Sequence, residues 1–215
     1  VKPFLLVLSS PSGGGKTTIA RSLLDGRDDL GYSISATTRP MRAGEENGRD
    51  YHFLTRDEFQ RRVAAGAFVE WAEYSGNLYG TLWSEIEALF ARGRIAVLDI
   101  DVQGAAQIRK VMPDAVLVFV LPPSATVLAS RLRARNSETT ERIRQRLTAA
   151  ALEVEAVPGY DYLVENDNLV AAVSHVAAII EAEIHRIGRQ EDIARRVEEF
   201  RAGVLDEARR TGPTK

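Results

Sequence analysis

The chain contains no cysteine. Disulfides and cysteine-ligated metal sites are therefore excluded, and a reducing compartment is permitted. Only three histidines are present, at His52, His175 and His185. The last two share a late helical stretch at a spacing that does not place them on one face, so all three read as structural. No apolar run approaches the roughly 20 residues needed to cross a bilayer. Val1-Lys2-Pro3 leads straight into an apolar run and leaves no room for a signal peptide, so a cytoplasmic enzyme is expected. Nor is there an excess of basic charge: the net charge of −2 argues against a general nucleic-acid binder. Internal repeats, low-complexity blocks and a clear interdomain linker are all missing.

What is present is an ordinary globular composition, 215 residues with 45% apolar and 27% charged. That is enough for a substantial core and one domain with a lobe or lid, or two small domains. The most informative stretch is Ser10-Pro11-Ser12-Gly13-Gly14-Gly15-Lys16-Thr17. Before it, Phe4-Leu5-Leu6-Val7-Leu8 reads as a short buried strand. After it, Ile19, Ala20, Leu23 and Leu24 fall at helical spacing. Strand, glycine-rich turn and helix in that order make a phosphate-binding loop, in which successive backbone N–H groups and the positive helix end meet a phosphate. Lys16 would reach the outer phosphates and Thr17 would offer its hydroxyl to Mg²⁺. Ser10 stands where the motif G-x-x-x-x-G-K-[ST] has its first glycine.

Further along, Tyr32–Ala36 and Tyr51–Leu54 read as strands and Thr55 as the cap of a helix over about 56–65. Phe68–Tyr74 alternates as a strand before the turn Ser75-Gly76-Asn77. Residues 33–81 thus look like an antiparallel β-rich insertion. The α/β alternation resumes with a helix at Ser84–Phe90. The nearly continuous apolar strands Ile95–Asp101 and Ala115–Leu121 follow, on either side of a helix over 103–111. Such strands fit a parallel sheet covered on both faces, whose ligands lie beyond the strands' carboxyl ends. Helices are expected from Ser124 to about Arg135 and from Thr139 to about Val157, then a strand at Asp161–Glu165 and a helix capped by Asn168. The tail from Arg189 has charge at helical spacing and a thin apolar stripe. It could pack on the body or on a second subunit, which leaves a homo-oligomer open, and it is expected to be the least ordered part.

Three groups of residues carry chemistry. Asp99 and Asp101 end an apolar strand and, two residues apart, would face the same way; they could hold Mg²⁺ through water or bind a cation or N–H donor. Arg39 and Arg42 flank the stiff Pro40 and could clamp a second phosphate by bidentate forks. Arg131 with Arg135, and Arg142 with Arg146, form pairs four apart on either side of a polar break, as in a lid that brings positive charge onto a transferring phosphoryl group.

Together these residues resemble the guanylate kinase family over nearly the whole chain, from Phe4 to about Arg189. The resemblance is carried by Ser12–Thr17, the run Ser35-Ala36-Thr37-Thr38-Arg39-Pro40-Met41-Arg42-Ala43-Gly44-Glu45, Asp50-Tyr51 and Phe68-Val69-Glu70. Gly76-Asn77-Leu78-Tyr79-Gly80-Thr81, Leu98-Asp99-Ile100-Asp101-Val102-Gln103-Gly104, Arg131 through Arg135, Arg146-Leu147 and Asn166-Asp167 complete it. It implies an α/β P-loop NTPase-type fold: a parallel sheet core (1–34, 82–124 and 160–188) with helices on both faces. A GMP-binding lobe (35–81), a helical lid region (125–159) and a C-terminal tail (189–215) would be added to that core.

The resemblance further implies transfer of the ATP γ-phosphate to GMP, and to dGMP, giving ADP and GDP with Mg²⁺, without a nucleic acid or membrane partner. It assigns ATP to Ser12, Gly13, Gly14, Gly15, Lys16, Thr17, Thr18, Arg131, Arg135 and Asn166. The GMP phosphate goes to Arg39, Arg42, Tyr51 and Tyr79, and the guanine to Ser35, Glu70, Thr81 and Asp101. Thr17 and, through water, Asp99 would serve the metal. Lys16, Arg39, Arg135 and Arg146 would carry the catalysis. Guanine presents two donors, N1–H and N2–H, beside the acceptor O6; a carboxylate suits the first pair and hydroxyls the last. Two rival readings remain: a nucleoside-monophosphate kinase for another base, and a guanylate-kinase-like module that binds phosphopeptides without catalysis. Asn136, where a glycine often follows the lid arginine, is a second departure from the family pattern after Ser10.

Overall fold

The computed structural model describes residues 1–74, 76–134 and 139–211. The chain divides into two compact units. One is Pro3–Ala177, and the other joins Val1–Lys2 to Ala178–Lys215.

The larger unit is built on a five-stranded sheet in the order β2-β7-β1-β8-β9. Its strands are β1 (Leu5–Ser9), β2 (Leu30–Tyr32), β7 (Ile95–Asp99), β8 (Val116–Leu121) and β9 (Tyr162–Glu165), all paired in parallel. All five residues of the central β1 are buried. This explains its unbroken apolar run, since a strand covered on both faces has no polar side. Leu5, Val7, Leu98 and Leu117 pack with Ile86 and Leu89 of α3 (Trp83–Phe90) and Ile108 of α4 (Val102–Val111). Each fully buried leucine or isoleucine in this layer contributes roughly 1.5–3 kcal/mol of transfer free energy. The helix α1 (Lys16–Asp25) buries Ile19, Ala20 and Leu23, as its spacing requires.

A second sheet has the order β4-β3-β6-β5: β3 (Ala36–Thr37), β4 (His52–Phe53), β5 (Phe68–Tyr74) and β6 (Asn77–Leu82). The expectation of an antiparallel insertion needs correction here. β5 with β6 and β6 with β3 are antiparallel, but β3 and β4 run parallel, because the residues between them form a long loop rather than a hairpin. The single strand expected at Tyr32–Ala36 is also two. Gly31 and Tyr32 stay in the main sheet beside β7, and the chain bends before Ala36 joins the second sheet. α2 (Arg56–Ala64) starts as anticipated, with the Thr55 hydroxyl accepting the Glu58 N–H. Its Phe59 stacks on Phe68 at 4.3 Å between ring centres and is wholly buried.

Two helices complete this unit. α5 (Ala125–Arg133) and α6 (Thr140–Glu153) share a small core of Leu128, Leu132 and Ala150 with Ile143 and Leu147. α6 ends at Glu153 and tightens into a 3₁₀ turn over Val154–Gly159, so the helix expected to reach Val157 stops about one turn early. Pro158 lies in that turn and cannot supply the N–H of a continuing helix. Arg135 and Asn136 lie outside the described residues.

The smaller unit contains the end of α7 (Leu169–Ile184) and all of α8 (Ile193–Arg210). Glu183, only 3% exposed, pairs with Arg189 at 2.9 Å and Arg186 at 3.1 Å. Within the tail, Ile193–Arg210 form a regular helix of 18 residues. Arg195 pairs with Asp192 and Glu199, and Arg201 with Glu198, the short-range spacing that supports an exposed helix. No helix among the described residues is long and apolar enough to cross a membrane.

Candidate active site

The loop between β1 and α1 takes the shape its glycines permit. Gly13 and Gly15 have φ of 92° and 101°, left-handed values that favour glycine. Gly14 answers the question raised by Ser10. A Cβ on Gly14 would lie 2.7 Å from the Ser10 Cβ. The larger residue at the start of the loop therefore fits because the loop's own glycine leaves it room. The Ser10 hydroxyl donates to the Pro11 carbonyl at 3.0 Å, and Gly14 N–H donates to the same carbonyl at 2.7 Å.

Neighbouring elements brace this loop. Asn166, buried at the end of β9, donates from Nδ2 to the Gly14 carbonyl at 2.8 Å. Arg131 of α5 donates to the Asn166 carbonyl at 2.8 Å. Both residues were expected at the adenine nucleotide; here their hydrogen bonds hold the loop. From α6, Arg146 Nη2 donates to the Ser12 hydroxyl at 2.5 Å. Glu153 accepts the Ser12 N–H at 3.3 Å. Burial pushes the Glu153 carboxyl up, against the pull of Lys16 and Arg146.

Asp99 lies at the C-terminal end of β7. One of its oxygens accepts from Thr17 and the other from the Tyr32 hydroxyl at 2.5 Å. Burial and the facing Asp99 push the Tyr32 phenol strongly up, which keeps it a hydrogen-bond donor. A hydroxyl and a carboxylate oxygen meeting beside a phosphate loop are hard donors of the kind Mg²⁺ takes, with phosphate and water supplying its other ligands. The residues present thus fit that ion.

Asp101 departs from the expected geometry. β7 ends at Asp99, so the two carboxylates do not alternate along one strand. Asp101 is instead the N-cap of α4, where its Oδ1 accepts the Gly104 N–H at 2.9 Å. Both still line one cavity of about 490 Å³, with Ser12, Lys16, Ser35, Tyr51, Tyr79 and Arg146 among its other walls. Phosphate loop and second sheet therefore open onto the same space. Arg39, Arg42, Glu70 and Thr81 are not among the described residues that line it.

Arg39 is held before any ligand is considered. Nη1 donates to Glu45 at 2.9 Å and to the Pro40 carbonyl at 2.7 Å, and Nη2 donates to Glu45 at 2.9 Å. A guanidinium has five N–H donors. The Nε–H and the second Nη2–H remain, and they form the side-on fork that suits a phosphate. The guanidinium also stands 5.3 Å from the centre of the Tyr51 ring, a cation–π distance. Tyr51 in turn meets Tyr79 edge-on at 6.3 Å. Arg39 holds the Glu45 carboxyl at about 2, helped by the Arg42 backbone N–H. Arg42 itself is exposed.

Glu70 is 5% exposed and accepts the Thr81 hydroxyl at 2.7 Å. Burial pushes its carboxyl up to about 7; the Thr81 bond opposes the rise and the nearby Asp101 adds to it. Ser35 lines the cavity, and Thr18 is exposed in the first turn of α1. No sequence signal points to a role for Tyr32, Glu45 or Glu153. Each acts through a partner far along the chain or through the fold of a loop, which spacing alone does not reveal.

A parallel sheet with a glycine-rich loop after its central strand, a lysine opening the next helix and a second sheet region whose Ser35, Tyr51 and Tyr79 face the same cavity define a P-loop phosphotransferase of nucleotides. Comparison narrows the class. The sequence profile of guanylate kinase matches residues 2–183. The guanylate kinase of Syntrophotalea carbinolica is 47% identical over 86% of this chain and 88% of its own. That of Anaeromyxobacter dehalogenans is 48% identical over 91% and 88%. The crystal structure of guanylate kinase from Anaplasma phagocytophilum superposes with a TM-score of 0.75 at 33% identity, covering 92% of this chain and 94% of that one. The chain belongs to the guanylate kinase family.

Proposed function

We infer that the chain transfers the γ-phosphoryl group of ATP to GMP, giving ADP and GDP, with dGMP as an alternative acceptor. The observation that carries the choice of base is the buried pair of Glu70 and Thr81, whose charged neighbour Asp101 lines the same cavity as Lys16. The ionised Glu70 accepts N1–H and N2–H of guanine, and the hydroxyls of Ser35 and Thr81 serve its polar edge, with Asp101 alongside. Adenine would leave these groups unpaired, and sites built on such hydrogen bonds reject analogues by up to roughly 10⁴–10⁵.

The acceptor phosphate rests on the open fork of Arg39, with Arg42 and the hydroxyls of Tyr51 and Tyr79. The ATP phosphates lie over the amides of Gly13–Gly15, with Lys16 against the outer oxygens and Thr18 beside the loop. Mg²⁺, held by Thr17 and through water by Asp99, would supply further neutralisation of the phosphate charge. No general base is required, because the acceptor phosphate is already largely ionised near neutral pH. Catalysis is then positioning and charge stabilisation, to which Lys16, Arg39 and Arg146 contribute from this chain, with Arg135 proposed as a second lid arginine. A coupled assay of ATP-dependent turnover with GMP, dGMP, AMP, CMP and dTMP tests this. Turnover confined to the guanine nucleotides is expected, and preference for AMP or dTMP would overturn the assignment of the base pocket.

A further inference from the structure

Gly104 lies in the first turn of α4, buried, with its N–H donated to the Asp101 cap. Its φ is not among the positive values of this chain, so the backbone there is open to any L residue. Alanine is also the better helix former at an interior helical position. Local structure therefore gives no reason for a glycine, but the neighbouring strand does. A Cβ built on Gly104 would lie 2.7 Å from Glu70 Oε2 and 3.2 Å from Glu70 Cδ, with Ile100 Cδ1 at 3.1 Å. The other oxygen of the same carboxylate is fixed by Thr81 at 2.7 Å. The carboxylate is thus seated between a hydroxyl of β6 and the bare α-carbon of Gly104.

We propose that Gly104 determines base specificity without touching the nucleotide: its missing side chain is the seat in which Glu70 is aimed at the guanine edge. This rests on the reading of Glu70 as the carboxylate that recognises guanine. The atoms a new methyl group would strike first are the end of a side chain, which can swing aside without displacing the backbone. Swinging aside breaks the Thr81 bond and moves the acceptor oxygens by about an ångström, a displacement that can cost up to about a hundredfold.

The test is a cycle of Gly104→Ala and Glu70→Ala, read by steady-state kinetics and thermal melting. Gly104→Ala is expected to raise KM for GMP at least tenfold and to lower the GMP-to-AMP ratio of kcat/KM, with KM for ATP unchanged and kcat held within a few-fold. In the Glu70→Ala background the same substitution should cost nothing further, because the group it displaces is gone. If Gly104→Ala leaves KM for GMP unchanged while Glu70→Ala raises it, the inference falls and the reading of Glu70 stands. If neither substitution changes KM for GMP, the reading of Glu70 falls and takes the inference with it. An equal cost of Gly104→Ala in both backgrounds also overturns the proposal. Should Gly104→Ala alone fail to fold, the double variant must fold, since the clash is then relieved; failure of both to fold places the obstruction elsewhere and refutes the role.

Discussion

Replacing Glu70 by Gln removes a charge that burial disfavours and that, on the proposed reading, the guanine base needs. The carboxyl rises from an ordinary value of 4.5 to about 7 on folding, with burial the first cause. Ionising it in the folded protein therefore costs on the order of 3 kcal/mol. Because the folded-state value is the higher, the folded form holds the proton more tightly. Its contribution to stability is fully present below about pH 4.5 and is lost as the pH rises through about 7. Glutamine keeps the oxygen that accepts from Thr81 and has nothing to ionise. At about pH 8 the Gln variant should therefore melt several degrees above the parent, and the two melting curves should converge toward pH 5.

Function moves the opposite way. The Gln variant loses a charge-assisted acceptor worth about 1.5–3 kcal/mol and presents an N–H₂ to the base, so KM for GMP should rise at least tenfold, with KM for ATP unchanged. In the parent, KM for GMP should climb about tenfold between about pH 8 and pH 6 as Glu70 takes up its proton. In the variant, only the second ionisation of the GMP phosphate, near pH 6, should remain. A Gln variant no more stable than the parent at pH 8, or with the same KM for GMP and the same pH profile, would refute this reasoning.

Other substitutions separate the remaining parts. Lys16→Ala should lower kcat at least roughly a hundredfold while calorimetry finds GMP binding intact; undiminished turnover would contradict the role of the loop. Glu45→Gln frees Arg39 from its brace and should raise KM for GMP roughly tenfold with KM for ATP unchanged, and equal effects on both nucleotides would count against it. Asp101→Ala removes the α4 cap, at a cost of about 1 kcal/mol in thermal or chemical unfolding. It also removes the charge that helps raise Glu70, so the midpoint of the GMP-binding pH profile should move down; an unmoved midpoint would deny the coupling.

Much of this architecture is legible along the chain because its causes are local. The apolar β1, the glycines and Lys16-Thr17 lie in one uninterrupted stretch, and the Thr55 cap announces α2. Legibility fails where the structure depends on pairing between distant segments. Tyr32 meets Asp99 across 67 positions of sequence, and strand period gave no hint that Asp101 would turn away to cap a helix. The parallel pairing of β3 with β4 follows from the loop that Glu45 and Asp50 tie together through the backbone N–H groups of Arg42 and Glu46. Arg39 and Arg42 were visible as a basic pair. That Glu45 selects which edge of Arg39 faces outward was visible only in three dimensions.

On the proposed reading, an ATP pocket and a GMP pocket face one another across a single cavity. Calorimetric titration with adenosine and guanosine joined through a chain of phosphates tests it most directly. Such a ligand should bind far more tightly than ATP or GMP alone, in competition with both, and more tightly than its counterpart with adenosine at both ends. Affinity no greater than that of ATP, or competition with only one of the two nucleotides, would contradict the account.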